Sequence, residues 1–164
     1  LEATSRFGYP QFELQTEFHA SPWHKFLKAI ADGKDFNLKW NKGYGVVNLV
    51  ACPPFPYKTH NKKLCIENTE VIFEKNLKNE DWNHIHFNEV RMTKNGSGKE
   101  RYFICENGGY VLHVSGRGKT VSEASKKINR LIDNIIIPKM FYRTDIGVKF
   151  MEEDQRKLKE WGWI

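Results

Sequence analysis

Apolar positions between residues 110 and 138 change period partway along. Tyr110, Val111, Leu112, His113 and Val114 form a compact run, of the kind a strand presents. Gly116 and Gly118 then supply a turn. Beyond them Val121, Ala124, Ile128, Leu131 and Ile135 recur at spacings of three, four, three and four, which predicts a helix with one buried face. Thr120 stands at the N-cap and Glu123 three residues on completes a capping box, so the first turn has its own hydrogen-bond partners. Pro138 is expected to end the helix, and FYRTDIG at 141–147 follows as a polar, glycine-terminated hook.

Ser21 and Pro22 open a second helix whose face carries Trp23, Phe26, Leu27 and Ile30, and Gly33 closes it. Residues 36–40 alternate as a half-buried strand does, residues 41–45 turn, and residues 46–51 form a strand. Pro53, Pro54 and Pro56 each lack a backbone donor, so residues 52–56 are loop. Short strands are expected at 70–74, 84–90, 101–105 and 110–114, with hairpin connections at 94–98 and 106–109. Consecutive short strands with one long helix predict an α+β fold, mainly an antiparallel sheet with one long covering helix. A short charged helix at 151–161 completes the expectation.

Composition narrows the class. At 164 residues the chain is long enough for a sizeable core, and 40% hydrophobic with 13% aromatic residues argues against disorder. Its apolar runs are too short to span a bilayer, so no membrane partner is expected. No leader-like stretch is visible and the chain does not begin with Met, so residue 1 is expected to be a truncation point. Cys52, Cys65 and Cys105 are odd in number and scattered, which fits a reducing, cytoplasmic setting better than a disulfide framework.

The net charge of +6 raises the question of nucleic acid. The excess lies in residues 45–147 but is interleaved with acids, as on a solvated surface. Trp23 and Trp40 fit core-facing positions, and no RNA-binding motif accompanies them, so nucleic acid is not expected as a partner. Gly118, Lys119 and Thr120 suggest a P-loop, yet the required first glycine falls on His113. His84 and His86 lie two apart and could share a strand face as metal ligands, but no third ligand is evident and rim histidines are the expectation. No Ser/His/Asp or Cys/His arrangement follows from the spacings.

Three ordered segments resemble one family. GGYVLHVSGRGKTVSEASKKINRLIDNIIIPKMFYRTDIG at 108–147 resembles the C-terminal domain of phosphoribosylamine-glycine ligases, which are ATP-grasp enzymes of purine biosynthesis. GVVNLVACPPFPY at 45–57 resembles the strand and turn that open that domain, and LEATSRFGYPQ at 1–11 the ATP-grasp segment before it. The resemblance implies a tail of an ATP-grasp domain at 1–44, the C-terminal domain at 45–147 and a helical extension at 148–164. It implies ATP and Mg2+ as cofactors of an intact enzyme, with glycine and phosphoribosylamine as substrates. The partners of this chain are then absent N-terminal and ATP-grasp portions of the same protein, and the isolated chain is expected to be silent.

The resemblance also assigns residues. Glu2 falls on the acidic magnesium position, Thr4 where the family has a second ligand, Asn, and Arg6 on the arginine that stabilises charge on the transferring phosphoryl group. Tyr9 and Gln11 replace the family's Asp and Glu in the Arg-Phe-Gly-Asp-Pro-Glu loop, removing two carboxylates. That departure suggests a diverged ligase for another amino acid and amine as one rival; a stand-alone interaction or nucleic-acid module is the other. Arg143 matches the hook and is a candidate for phosphate on the substrate side; with Asp145 it is more simply an ion pair pinning the chain after the helix.

Overall fold

The computed structural model describes residues 8–57 and 62–164. Two antiparallel sheets form the framework. In the first, the central strand β6 (Tyr110–Gly118) lies between β1 (Tyr44–Ala51) and β3 (Ile85–Phe87). In the second, the order is β4 (Val90–Lys94), β5 (Glu100–Ile104), β2 (Glu70–Phe73) and β7 (Ile135–Ile136). Helix α3 (Val121–Ile132) packs on β6 and β1. The α+β expectation holds, but the strands divide between two sheets rather than one.

Strand alternation decides what each face of the first sheet meets. Val46 pairs with Gly116, Asn48 with Val114 and Val50 with Leu112, so these side chains share a face. A Cβ at Gly116 would lie 2.9 Å from Ile128 Cγ2, which identifies that face as the one under α3. Val121, Ala124, Ile128 and Leu131 are buried there, as the spacing predicts. Thr120 Oγ1 accepts from the Glu123 amide at 3.1 Å, while the Glu123 carboxylate returns to the Lys119 amide at 2.7 Å.

The opposite face of β6 carries His113 and Ser115, and a second helix lies on it. This is α1 (Gln11–Phe18), which packs on both β6 and β1. A Cβ at Gly45 would fall 2.5 Å from Leu14 Cδ1 and 2.6 Å from Phe18 Cε2, so the glycine permits the helix to approach. The first sheet is therefore covered on both faces rather than by one helix.

Several expectations are corrected. Gly116 and Gly118 lie inside β6 instead of forming a turn, because the sheet needs a missing side chain where α3 crosses. Helix α3 ends at Ile132, not Pro138; Ile135 is buried as expected but on β7, paired with Phe73. The 84–90 segment splits, with β3 in one sheet and β4 in the other. The 106–109 connection therefore crosses between sheets, whereas 94–98 is a true hairpin in which Asn95 Oδ1 accepts from the amides of Ser97 and Lys99. Residues 36–40 form only an isolated bridge, His19 to Trp40.

Helix α2 (Trp23–Ala31) forms where expected, but Leu27 and Ile30 are exposed. Trp40 is 51% exposed rather than core-facing, while Trp23 is half-buried and stacks on His19 with ring centres 3.7 Å apart. The chain closes with a π-helical turn (Phe150–Asp154) and α4 (Gln155–Glu160).

Candidate functional site

A polar seam runs between α1 and the first sheet, built from residues far apart in sequence. Glu13 and Glu17 are one helical turn apart on α1, so both side chains project onto the same stretch of β6. Ser115 Oγ donates to Glu17 Oε1 at 2.6 Å, and His84 Nδ1 donates to the same oxygen at 2.5 Å. His86 sits opposite His113 in the β3 and β6 ladder, and its Nε2 donates to Ser115 Oγ at 2.7 Å, because the serine proton is already directed to Glu17. On the far side of His84, Lys127 Nζ donates to Nε2 at 2.7 Å.

The second half of the seam centres on His113, which is buried. Tyr110 OH donates to its Nε2 at 2.8 Å, and Glu13 Oε1 lies 3.6 Å from its Nδ1. Tyr9 lies parallel over the His113 ring with centres 6.0 Å apart and meets the Tyr110 ring edge-on at 6.1 Å. The Tyr9 side chain is 72% exposed, so the seam reaches the surface at the residue that follows the Arg-Phe-Gly segment.

Protonation follows from these contacts. Burial pushes the Glu17 carboxyl pKa up, but hydrogen bonds from His84 and Ser115, with the electrostatic pull of His84 and Lys127, outweigh it and hold the group below its ordinary value. Burial lowers the pKa of both His86 and His113, against the opposing pull of Glu13. Burial also raises the Tyr110 phenol, helped by the charge of Glu13. The seam thus joins two carboxylate side chains of α1 to three imidazoles and a hydroxyl of the sheet side. Ser115 is fully buried with its proton held by a carboxylate, an arrangement that ties elements together and does not present a nucleophile.

The hook lies elsewhere. Ala51 and Phe141 exchange backbone hydrogen bonds at 3.0 and 2.8 Å, and buried Asn48 donates its amide to the Arg143 carbonyl at 2.6 Å. Asn48 points to the α3 side of the sheet, so the hook backbone is anchored on the face opposite the seam. The Arg143 guanidinium pairs with both Asp145 oxygens, at 2.8 and 2.6 Å, in an exposed position. This pair closes within the hook itself and does not reach back to α3.

Of the residues singled out from the sequence, Glu2, Thr4 and Arg6 lie outside the described residues, and Arg143 is placed as above. His84 and His86 do converge, but through Glu17 and Ser115; among the described residues no group of three His, Cys, Asp or Glu is arranged to hold a metal. Glu13, Glu17, His113 and Ser115 had no sequence signal as a group, since their contacts join α1 to strands some hundred residues away.

Comparison with known proteins now decides the family. The model of the family described as phosphoribosylglycinamide synthetase, C domain, matches residues 54–149. The chain belongs to that family. As a phosphoribosylglycinamide synthetase C domain it is similar to the phosphoribosylamine-glycine ligase of Corynebacterium ammoniagenes, 27% identical over 90% of this chain and 32% of the relative. It is also similar to the bifunctional purine biosynthetic protein purD of Dictyostelium discoideum, 26% identical over 98% of this chain and 18% of the relative. The chain therefore spans a third or less of the length of these relatives. A crystal structure of phosphoribosylamine-glycine ligase from Thermotoga maritima shares the fold, with a TM-score of 0.62, 22% identity, and coverage of 85% of this chain and 31% of the other. The family match includes β2 to β7, α3 and the hook, while α1 and β1 precede it. No helix among the described residues is long and apolar enough to cross a membrane.

Proposed function

We propose that this chain serves as the C-terminal part of a phosphoribosylamine-glycine ligase, working with N-terminal and ATP-grasp portions of the kind that make up the remaining length of its relatives. The observation that carries this reading is the continuous similarity to a named ligase over 90% of the chain, extending well before the 54–149 family match. In the reaction, glycine's carboxylate attacks the γ-phosphorus of ATP, releasing ADP and forming an acyl phosphate. The amine of phosphoribosylamine then attacks the acyl carbon, the carbon to phosphate-oxygen bond breaks, and phosphate leaves as the nitrogen loses its proton.

Such chemistry is chiefly positioning and charge neutralisation. Mg2+ bound with ATP would supply the latter, with Glu2 and Thr4 as the positions assigned to it; both lie outside the described residues. Arg6 is assigned to charge on the transferring phosphoryl group, and Arg143 to phosphate on the substrate side. The role supported by the described residues is structural: Glu17 locks α1, which follows the Arg-Phe-Gly segment in sequence, to Ser115 and His84. The domain limits 1–44, 45–147 and 148–164 belong to the same proposal.

A second reading, a ligase for another amino acid or amine, is favoured by Tyr9. Where the resemblance places a carboxylate, this chain has a phenol stacked on His113 and edge-on to Tyr110, which offers an aromatic wall in place of a charge. The reading frame upstream of Leu1 tests both. An ATP-grasp pattern upstream, followed by activity of the complete protein with glycine and phosphoribosylamine, supports the first. Activity only with a different amino acid or amine supports the second. A start codon immediately before Leu1 contradicts both.

A further inference from the structure

Beside the seam lies a cleft of about 340 Å3 lined by Thr16, Glu17, Asn41, Asn83, His84, Arg117 and Lys127. Those residues come from α1, the segment before β1, the turn before β3, β6 and α3, so the folded topology alone assembles them. The volume suits a small ligand. A lysine, an arginine and two side-chain amides line it together with one carboxylate and one imidazole.

The donors in the cleft are incompletely used. Among the described residues Lys127 Nζ meets a single hydrogen-bond partner, His84 Nε2 at 2.7 Å, and an ammonium has three N–H groups. Arg117 gives one nitrogen to the Lys42 carbonyl at 2.9 Å, which fixes the guanidinium while leaving its remaining N–H groups. The Asn83 side-chain amide makes no hydrogen bond among the described residues, and Asn41 makes only a long one, 3.4 Å to the Glu17 carbonyl.

Glu17 offsets part of this charge through space but makes no hydrogen bond to Lys127 among the described residues. Its Oε1 accepts from both Ser115 and His84, so its bonded oxygen is committed to holding His84. His84 in turn presents a lone pair to Lys127 and holds the ammonium in place. The result is a preordered lysine backed by a relay, in a cleft that Arg117 also lines. Ordering a lysine costs rotamer freedom, and here the protein has already met that cost.

We infer that this cleft is a binding site for a phosphate monoester, whose phosphoryl oxygens are held between Lys127 and Arg117 with the amides of Asn83 and Asn41 at its flanks. A dianion with a tetrahedral set of acceptors matches two cations and convergent amides better than a single carboxylate does. The site uses none of Glu2, Thr4, Arg6 or Arg143, and it stands whether or not the ligase reading holds.

The test is a titration of the isotopically labelled chain at low salt, reading the Asn41, Asn83 and His84 side-chain resonances. Inorganic phosphate, glycerol phosphate and acetate are the three probes. The expected result is a saturable shift confined to these side chains, tighter for glycerol phosphate than for phosphate and weakest for acetate. Lys127→Gln and Arg117→Gln should each weaken binding by about tenfold or more. Asn83→Asp changes an exposed residue and adds a repelling charge, so it should abolish binding with the melting midpoint unchanged. If inorganic phosphate binds as tightly as glycerol phosphate, the ligand is the free ion and the monoester assignment fails. Absence of a saturable shift, equal affinity for acetate, or unchanged affinity in folded Asn83→Asp would overturn the site.

Discussion

Ser115 Oγ donates to Glu17 Oε1 at 2.6 Å, both groups buried and 98 positions apart in the chain. This bond ties the helix that follows the Arg-Phe-Gly segment to the central strand of the family domain. Ser115→Ala removes the proton from Glu17 and the acceptor from His86 inside a buried network. Stability should fall by about 1 to 3 kcal/mol, read as a lower denaturant midpoint with an unchanged slope. Paired with Glu17→Gln in a double-mutant cycle, the two losses should be less than additive.

Acid should loosen the seam in two stages. His113, facing Glu13, Tyr110 and Tyr9, and His86, facing Ser115, Glu13, Glu17 and His84, both have folded pKa values below the ordinary 6.5. The unfolded chain therefore binds more protons between those values, so this contribution is complete above 6.5 and declines as pH falls below it. Glu17, depressed from 4.5, contributes fully above 4.5 and loses its share only at lower pH. Denaturation midpoints measured across this range should bend first near the histidine value, and His113→Gln should flatten that first bend.

Gly116 stands where α3 crosses the sheet, with Ile128 Cγ2 placed 2.9 Å from any added Cβ. Gly116→Ala should cost about 1 to 3 kcal/mol through overpacking. Gly96, in the β4–β5 hairpin, has nothing within 4 Å, so Gly96→Ala should stay within about 0.5 kcal/mol of the parent. Thermal unfolding of the two variants side by side provides the contrast.

What was legible in the sequence divides along physical lines. Helix α3 declared itself because its buried face is aliphatic and its start is capped by adjacent residues, both local signals. Its end was misplaced because Ile135 continues the spacing from a strand, where it pairs with Phe73. The glycines of β6 read as a turn because the reason for them, the approach of Ile128, lies outside their own segment. Helix α1 gives little periodic apolar signal: the one of its residues that is buried is Glu17, and the partners that make such burial tolerable are His84 and Ser115. The seam and the cleft beside it were illegible for the same reason, since each needs α1 and β6 in register before its residues meet.

The hook separates a visible ion pair from a less visible anchor. Arg143 and Asp145 are exposed, and solvent screens such pairs, so Arg143→Ala should leave the melting midpoint essentially unchanged. Asn48 is buried and holds the Arg143 carbonyl at 2.6 Å, so Asn48→Ala should cost about 1 kcal/mol or more. A reversed order of the two in thermal unfolding would show that the guanidinium, not the backbone, holds the hook.

The account rests on the chain being one part of a ligase cleft whose nucleotide-binding portions lie elsewhere. Glycine-dependent ADP release by the purified chain, supplied with ATP, Mg2+ and phosphoribosylamine, tests this most directly. The account predicts release no faster than in the protein-free control. Glycine-dependent ADP release that scales with the chain, with contaminating full-length ligase excluded, would contradict it.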